Sequence, residues 1–573
     1  MINKIYSILG IQFQNKFFYI LFLMIIGMAL ETLSIAMIIP ALVFLVDKNA
    51  TETFISSNEE LFFLSQYSQN ELIISSLILI LIIYFLKAIY MFFLAWKQNS
   101  FAFSLLEYVS RKIFKKYVYQ SYPFHLRKNS SELIRNITFE VNQFTIGTVL
   151  SGLTLLSELF ILIGISALLL YVQPYQTIIV IILITTISAI YYSIIKSYIL
   201  DWGKRRQFHE RFRLQHIQQS LFGIKDLKVL GKENFFIDQF SFHNFKNSLV
   251  GRNQGAFQQM PRIGIEFIGV ICIVVVFAFM LNKDDNLSAA ITTIGLFAAA
   301  AFRVMPSINR IISSLQSIRF ASPSINVIHS ELALLDHDIT EYKNLSSSQK
   351  LELSKISLKN ISFSHEGESK LILKNLSINI SKGEMVGIIG PSGSGKSTLV
   401  DIFLGLLKAN SGEILMNNIN VFNDKNRWQN SIGYVPQDIY LTDNTIKRNI
   451  AFGVDDAEIS EELLRKAIKS AKLEDFINTL KNKENSDVGE LGNKISGGQK
   501  QRIGIARALY NQPNILIFDE ATSALDEHTE QDIMNSVKDL KGKITILIIT
   551  HRLNTLKYCD SVYEIDGGRV LKK

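Results

Sequence analysis

Apolar residues crowd the first half of the chain in runs longer than a soluble core helix uses. Six runs reach the roughly 20 residues that a helix needs to cross the hydrocarbon layer. They are about Phe17–Val46, Leu72–Trp96, Val149–Val172, Thr177–Tyr198, Pro261–Leu281 and Leu287–Ile312. The third and fourth are joined only by 173–176, and the fifth and sixth only by 282–286. The polar segments after the second and fourth runs are long and hold few breakers. They predict helices that continue past the bilayer at about 1.5 Å per residue. Two interruptions, Ser121 to His125 followed by Asn129 to Glu132, and Ser220 to Lys225, are places for short transverse helices. A Ser cap restarts the helix at the first of them. From Leu351 onward the apolar runs shorten to strand length and turn residues appear. The pattern therefore predicts an all-α membrane domain with six spans over 1–330, a linker over 331–350 and an α/β domain over 351–573.

Composition changes this picture little. Hydrophobic residues make up 48 % and the mean hydropathy is positive, as a membrane protein requires. The net charge of +8 could signal nucleic acid. Its bearers, however, sit beside the spans: Arg111, Lys112, Lys115, Lys116, Arg127 and Lys128 in one long segment, and Lys204, Arg205, Arg206, Arg211, Arg213, Lys225 and Lys228 in the other. The positive-inside rule then places the amino terminus, both segments and the α/β domain in the cytoplasm. No nucleic-acid partner is expected. Two cysteines, Cys272 and Cys559, make no disulfide framework. The first run is too long for a signal core and lacks a small-residue cleavage site, so it reads as a retained span.

The chemistry lies in the second half. Met385 to Ile389 reads as a buried strand, and Gly390, Gly395, Lys396 and Ser397 after it form G-x4-G-K-S. The glycines, with Ser392, Gly393 and Ser394 between them, let backbone N–H groups converge on phosphates. Lys396 neutralises their charge, and Ser397 can ligate Mg2+. Thr398 follows in the helix whose positive end faces the nucleotide. Ile515 to Asp519 is a second buried strand ending in a carboxylate suited to magnesium. Glu520, next in sequence, can polarise an attacking water as general base. ATP and Mg2+ are the implied ligands.

The motifs continue in a recognisable order. Gln437 follows Tyr434-Val435-Pro436, and Ile495-Ser496-Gly497-Gly498-Gln499 precedes the Asp519–Glu520 pair. Ser523 to Asp526 come next, and His551 ends the strand Ile546 to Thr550. Residues 351–573 resemble an ATP-binding cassette (ABC) nucleotide-binding domain throughout. The resemblance implies that Gln437 senses magnesium and water, and that His551 contacts the γ-phosphate. It implies that Ser496, Gly498, Gln499 and Asp526 complete a nucleotide pocket on a second copy. Two positions depart from the family pattern. Ile495 stands where Leu is usual. His365 stands where an aromatic residue stacks on adenine, with Phe363 as the alternative ring; strand alternation points both to one side. With the six spans, the whole chain resembles an ABC exporter half-transporter, active as a homodimer.

The cargo is read from ionisable residues at span depth, which are costly there and usually functional. Glu31, Lys87, Glu158, Arg262, Glu266, Arg303 and Arg310 qualify. Lys87 lies about 22 Å down its span and Arg303 about 24 Å. Arg262 starts the fifth span, and Arg303 and Arg310 share a helical face. Two accounts fit. The cations snorkel to headgroups, or Lys87, Arg262, Arg303 and Arg310 form a patch for an anionic headgroup such as a diphosphate, with Glu266 as partner to Arg262. Pro261-Arg262-Ile263, the run Arg303 to Ile311, and Glu31-Thr32 with Pro40 resemble the bacterial ABC flippase for lipid-linked oligosaccharides of protein N-glycosylation. That family moves a polyprenyl-diphosphate oligosaccharide across the inner membrane. A short apolar helix over Asn58 to Leu64 would meet its lipid tail. Export of another lipid, a drug or a peptide is the alternative, and an ATP-gated channel a further one. A soluble ABC ATPase is excluded by the spans. Asn49, in an acid-extended acceptor-like sequence, reads as a chance match.

Overall fold

The computed structural model describes residues 2–46, 51–52, 66–281, 287–333, 354–365, 367–521 and 527–573. The chain divides into two compact units, a helical one made chiefly of residues 1–341 and an α/β one made chiefly of residues 342–573.

The helical unit opens with α1 (Ile2–Ala36) and α2 (Ile38–Val46). Pro40 lacks the N–H that would bond the Ala36 carbonyl, and the helix breaks at Met37. Then come α3 (Gln69–Val118), α4 (Tyr122–Arg127) and α5 (Ser130–Arg135). The last continues through π-helical turns at Asn136–Glu140 and Gln143–Leu150 into α6 (Ser151–Val172). The unit closes with α7 (Pro174–Phe222), α8 (Ile224–Leu230), α9 (Glu233–Leu281) and α10 (Leu287–Ala333). The expected extensions are therefore helical, and short helices stand at both interruptions. At the first, Asn129 rather than a serine caps α5: its Oδ1 accepts from the Ser131 N–H at 2.9 Å. The helix α10 reaches Ala333; the rest of the expected linker, the Asn58–Leu64 segment and Asn49 lie outside the described residues.

Four stretches of the described residues are long and apolar enough to span a bilayer: Ile2–Leu45, Gln69–Val118, Ser130–Val172 and Pro174–Phe222. The fifth and sixth expected spans fall on α9 and α10, where the side chains of 275–294 lie outside the described ones. Leu81, Phe92 and Trp96 on α3 are about two-thirds or more exposed, an apolar surface that suits lipid rather than water. At the far ends of the long helices a dry core gathers Leu105, Val109, Ile113, Val141, Phe144, Ile325 and Ile328.

The α/β unit has two sheets. A four-stranded antiparallel one runs β2-β1-β4-β5, with β1 Lys355–Phe363, β2 Leu373–Ser381, β4 Ser411–Met416 and β5 Ile419–Asn420. The six-stranded sheet runs β10-β9-β3-β8-β7-β6. Its strands are β3 Met385–Ile389, β6 Ile432–Val435, β7 Ile515–Asp519, β8 Thr545–Ile549, β9 Ser561–Asp566 and β10 Arg569–Lys572. All pair in parallel except β10. Both faces of β7 are covered. Ile515 and Ile517 enter one core with α11 (Lys396–Phe403), whereas Leu516 and Phe518 enter another with α12 (Gly497–Tyr510). Double coverage is why these strands read as unbroken apolar runs.

Candidate functional site

The carboxyl ends of β3, β8, β7 and β6 lie side by side, and each delivers one element of the site. This edge is where open parallel sheets bind ligands. The loop after β3 runs from Gly390 to Gly395. Gly390, Gly393 and Gly395 all take positive φ, and a Cβ on Gly390 would stand 2.2 Å from the Ile565 carbonyl oxygen. Only glycine lets the loop turn this tightly. Gly395 begins α11 without a side-chain cap, so the first N–H groups of Lys396, Ser397 and Thr398 stay available to an anion. Lys396 is buried, and its Nζ donates to the carbonyls of Gly390 and Pro391 at 2.9 and 3.1 Å. Ser394 Oγ is buried without a hydrogen-bond partner, while Ser392 and Ser397 are exposed. A cradle of free amides, one ammonium and an orphaned hydroxyl fits a nucleotide's phosphates.

Asp519 ends β7, and the Tyr434 hydroxyl from β6 donates to its Oδ2 at 3.2 Å. Burial raises the carboxyl pKa of Asp519, with the Glu520 charge adding to the rise. Burial also raises Tyr434, and Asp519 adds to it. Glu520 takes the left-handed conformation at φ 48°, and its N–H donates to the Ile549 carbonyl at 2.9 Å. A non-glycine residue rarely sits there. The kink brings Glu520 Oε1 to 2.9 Å from His551 Nε2, at the end of β8. Gln437 is exposed in the bend after β6, one strand from Asp519. Among the described residues no three His, Cys, Asp or Glu side chains form a ready metal cage. Asp519, Ser397 and Gln437 would instead offer a sparse oxygen set of the kind that magnesium takes together with phosphate oxygens.

Asp401 escaped the motif reading. It follows Ser397 by one helical turn, and its pKa is pushed up to about 6, first by burial and then by the Asp519 charge. Phe363 ends β1 with its ring in the core, edge-on to the His365 ring at 5.3 Å, while His365 itself is exposed. The strand stops at Phe363, so His365 stands just past its end. Ser496 caps α12 in a reciprocal pair with Gln499, leaving Ser496 and Gly497 exposed and Gly498 half-buried at the helix start. Asp526 lies outside the described residues.

Residues 17–303 match the model of the ABC transporter transmembrane region, and 373–523 match that of the ABC transporter. The chain belongs to the ABC transporter family. It is 28 % identical over 490 residues to an ATP-dependent lipid A-core flippase of Haemophilus influenzae, covering 84 % of this chain and 80 % of that one. It is 30 % identical over 470 residues to the protein of the same name from Saccharophagus degradans, covering 81 % and 77 %. A solved bacterial Atm1-family ABC exporter with ATP bound shares the fold at a TM-score of 0.79 and 21 % identity, covering 97 % of this chain and 94 % of that one. This ABC transporter is thus an ATP hydrolase coupled to transport, with an exporter fold.

The transporter gathers some of the cations expected at span depth and leaves one apart. Lys87 Nζ lies 3.1 Å from Glu31 Oε1 and 3.2 Å from Ser34 Oγ. Arg303 Nε reaches the same Glu31 oxygen at 2.5 Å, and its Nη1 lies 3.5 Å from Glu158 Oε2. Arg310 Nη1 holds Glu158 Oε1 at 2.6 Å, and Ser307 donates to Glu158 Oε2 at 2.7 Å. Glu31 and Glu158 are buried, whereas Arg310 is 55 % exposed. Arg262 instead pairs with Glu266 at 3.1 Å on an exposed face of α9.

Proposed function

We propose that two copies of this chain form a homodimer in the bacterial inner membrane. The dimer flips a polyprenyl-diphosphate-linked oligosaccharide from the cytoplasmic to the periplasmic leaflet. The observation that carries the cargo reading is the cluster of Lys87, Arg303 and Arg310, with one positive charge in excess over Glu31 and Glu158 and with Arg310 half exposed. A guanidinium suits a diphosphate through paired N–H donors. The names of the flippase relatives support a lipid cargo. They also favour a second reading, a phosphorylated glycolipid of the lipid A-core kind.

At the ATPase site the loop amides and Lys396 would hold the phosphates, and Ser397, Gln437 and Asp519 would hold the metal. Magnesium, when bound, would neutralise phosphate charge. Glu520 accepts a proton from the attacking water, and its contact with His551 aims both groups at the γ-phosphate. His365 offers its ring to the base. Exposed Ser496, with Gly498, Gln499 and Asp526, closes over nucleotide on a second copy. The amino terminus, the long helical extensions and the α/β unit face the cytoplasm.

Reconstitution in proteoliposomes with a labelled polyprenyl-diphosphate glycan and Mg-ATP tests the reading. ATP-dependent transfer is expected. Transfer of lipid A-core alone installs the second reading, and transfer of neither removes both.

A further inference from the structure

Glu31 and Glu158 enter that account only in the charge count, yet the fold invests heavily in them. Each is almost wholly buried, on α1 and α6, and together they engage cations from α3 and α10. Each of these ion pairs is an N–H donor meeting a carboxylate oxygen, the same geometry in which ammonium and guanidinium groups take phosphate oxygens. Three cations against two carboxylates leave the cluster one charge short of neutral. A dianionic headgroup placed beside them would compete directly with the two carboxylates.

We propose that Glu31 and Glu158 are built-in counter-ions. They hold Lys87, Arg303 and Arg310 between transport events and yield them to the phosphate-bearing headgroup of a lipid. The inference rests on the anionic-lipid reading above. Exchange begins at Arg310, the half-exposed member. When Arg310 turns away, Glu158 keeps Ser307 at 2.7 Å and Arg303 at 3.5 Å, so the buried carboxylate is not stranded. Glu31 and Lys87 anchor the deeper end, with Lys87 also 4.2 Å from the Tyr84 ring centroid. The carboxylates thus set specificity: a neutral lipid cannot displace them, and a headgroup must carry enough charge to do so.

The test is equilibrium binding of radiolabelled geranylgeranyl diphosphate to the full-length transporter in nanodiscs of zwitterionic phosphatidylcholine. Glu158→Gln removes the competitor while keeping the shape, and should lower Kd about tenfold. Glu158→Asp keeps the charge and should stay within about threefold of wild type. Geranylgeraniol should bind equally to wild type and Glu158→Gln. Inorganic pyrophosphate should compete poorly. Diphosphate binding that is unchanged or weaker in Glu158→Gln overturns the counter-ion role alone, as does equal tightening in Glu158→Asp or toward geranylgeraniol. Pyrophosphate competing as well as the lipid makes the occupant a soluble diphosphate and also overturns it. No diphosphate binding by wild type or variant overturns the anionic-lipid reading beneath it.

Discussion

In the α/β unit the charged side chains of the nucleotide site stand at neighbouring strand ends, with Asp519 beside Glu520 in sequence. In the helical unit Arg303 meets Glu31 across 272 residues. The first arrangement follows from a parallel sheet, whose strands all deliver their carboxyl ends to one edge. The second has no such frame. Each ion pair needs two separate helices to pack correctly, and the whole cluster needs four, α1, α3, α6 and α10. The nucleotide site should therefore fail locally when one group is removed, and the charge cluster should fail by loosening the helical unit.

The largest effect expected is at the first region. Glu520→Gln should cut ATP turnover by about 10²–10⁴-fold, the range for losing a positioned general base. Nucleotide binding should survive, because Lys396 and the loop amides are untouched. Phosphate release and labelled-ATP binding on the same preparation check both halves. Retained turnover would remove Glu520 from its role. Loss of binding as well would mean that this site, too, fails by loosening.

Legibility in the sequence follows the same division. The phosphate loop, Asp519, Glu520 and His551 were readable because each motif is contiguous and ends a recognisable strand. Asp401 was not, although its place one turn after Ser397 was a usable signal. Tyr434 lay inside the stretch leading to Gln437, but its bond to Asp519 depends on β6 lying beside β7. In the expected spans, residue count put Lys87 and Arg303 at one level, and both meet Glu31. Helix rotation was not readable. It decides that Arg303 and Arg310 face Glu158 while Arg262 faces outward with Glu266.

The second effect tests that division. Glu31→Leu strips the partner from both Lys87 and Arg303 inside the helical unit. Removing one side of a buried pair costs about 3–5 kcal/mol. Arg262→Met breaks an exposed pair, which is worth about 0–1 kcal/mol. The midpoint of heat-induced aggregation in detergent should fall clearly for the first and barely for the second. Equal behaviour would mean that the buried cluster carries no more weight than a surface ion pair.

A third site sharpens the comparison, because it also joins distant residues but lies outside the spans expected at Thr177–Tyr198 and Pro261–Leu281. His209 and His216 on α7 meet His243 on α9, with His209 Nδ1 and His243 Nδ1 3.0 Å apart and Phe212 stacked on His243 at 5.0 Å. Burial lowers the pKa of His209, helped by Lys246 and Arg205; burial lowers that of His243 too, helped by the other two histidines. Asp238 lies nearby, and Glu210 is engaged by Arg213 and Asn247. Neutral imidazoles are thus built into the packing. The separated helices bind protons near the ordinary histidine pKa of about 6.5, and the packed ones only below it. Stability of the α7–α9 pair is then complete above about 6.5 and is lost as pH falls through the depressed values. The protection of α7 and α9 against hydrogen exchange, relative to the intrinsic rate at each pH, should fall between pH 7.5 and 5.5, a smaller change than Glu31→Leu produces. His243→Phe should reduce the dependence, since Phe keeps the stacking and cannot titrate, while His209 keeps its own share. An undiminished pH response in His243→Phe would place the sensitivity outside His243.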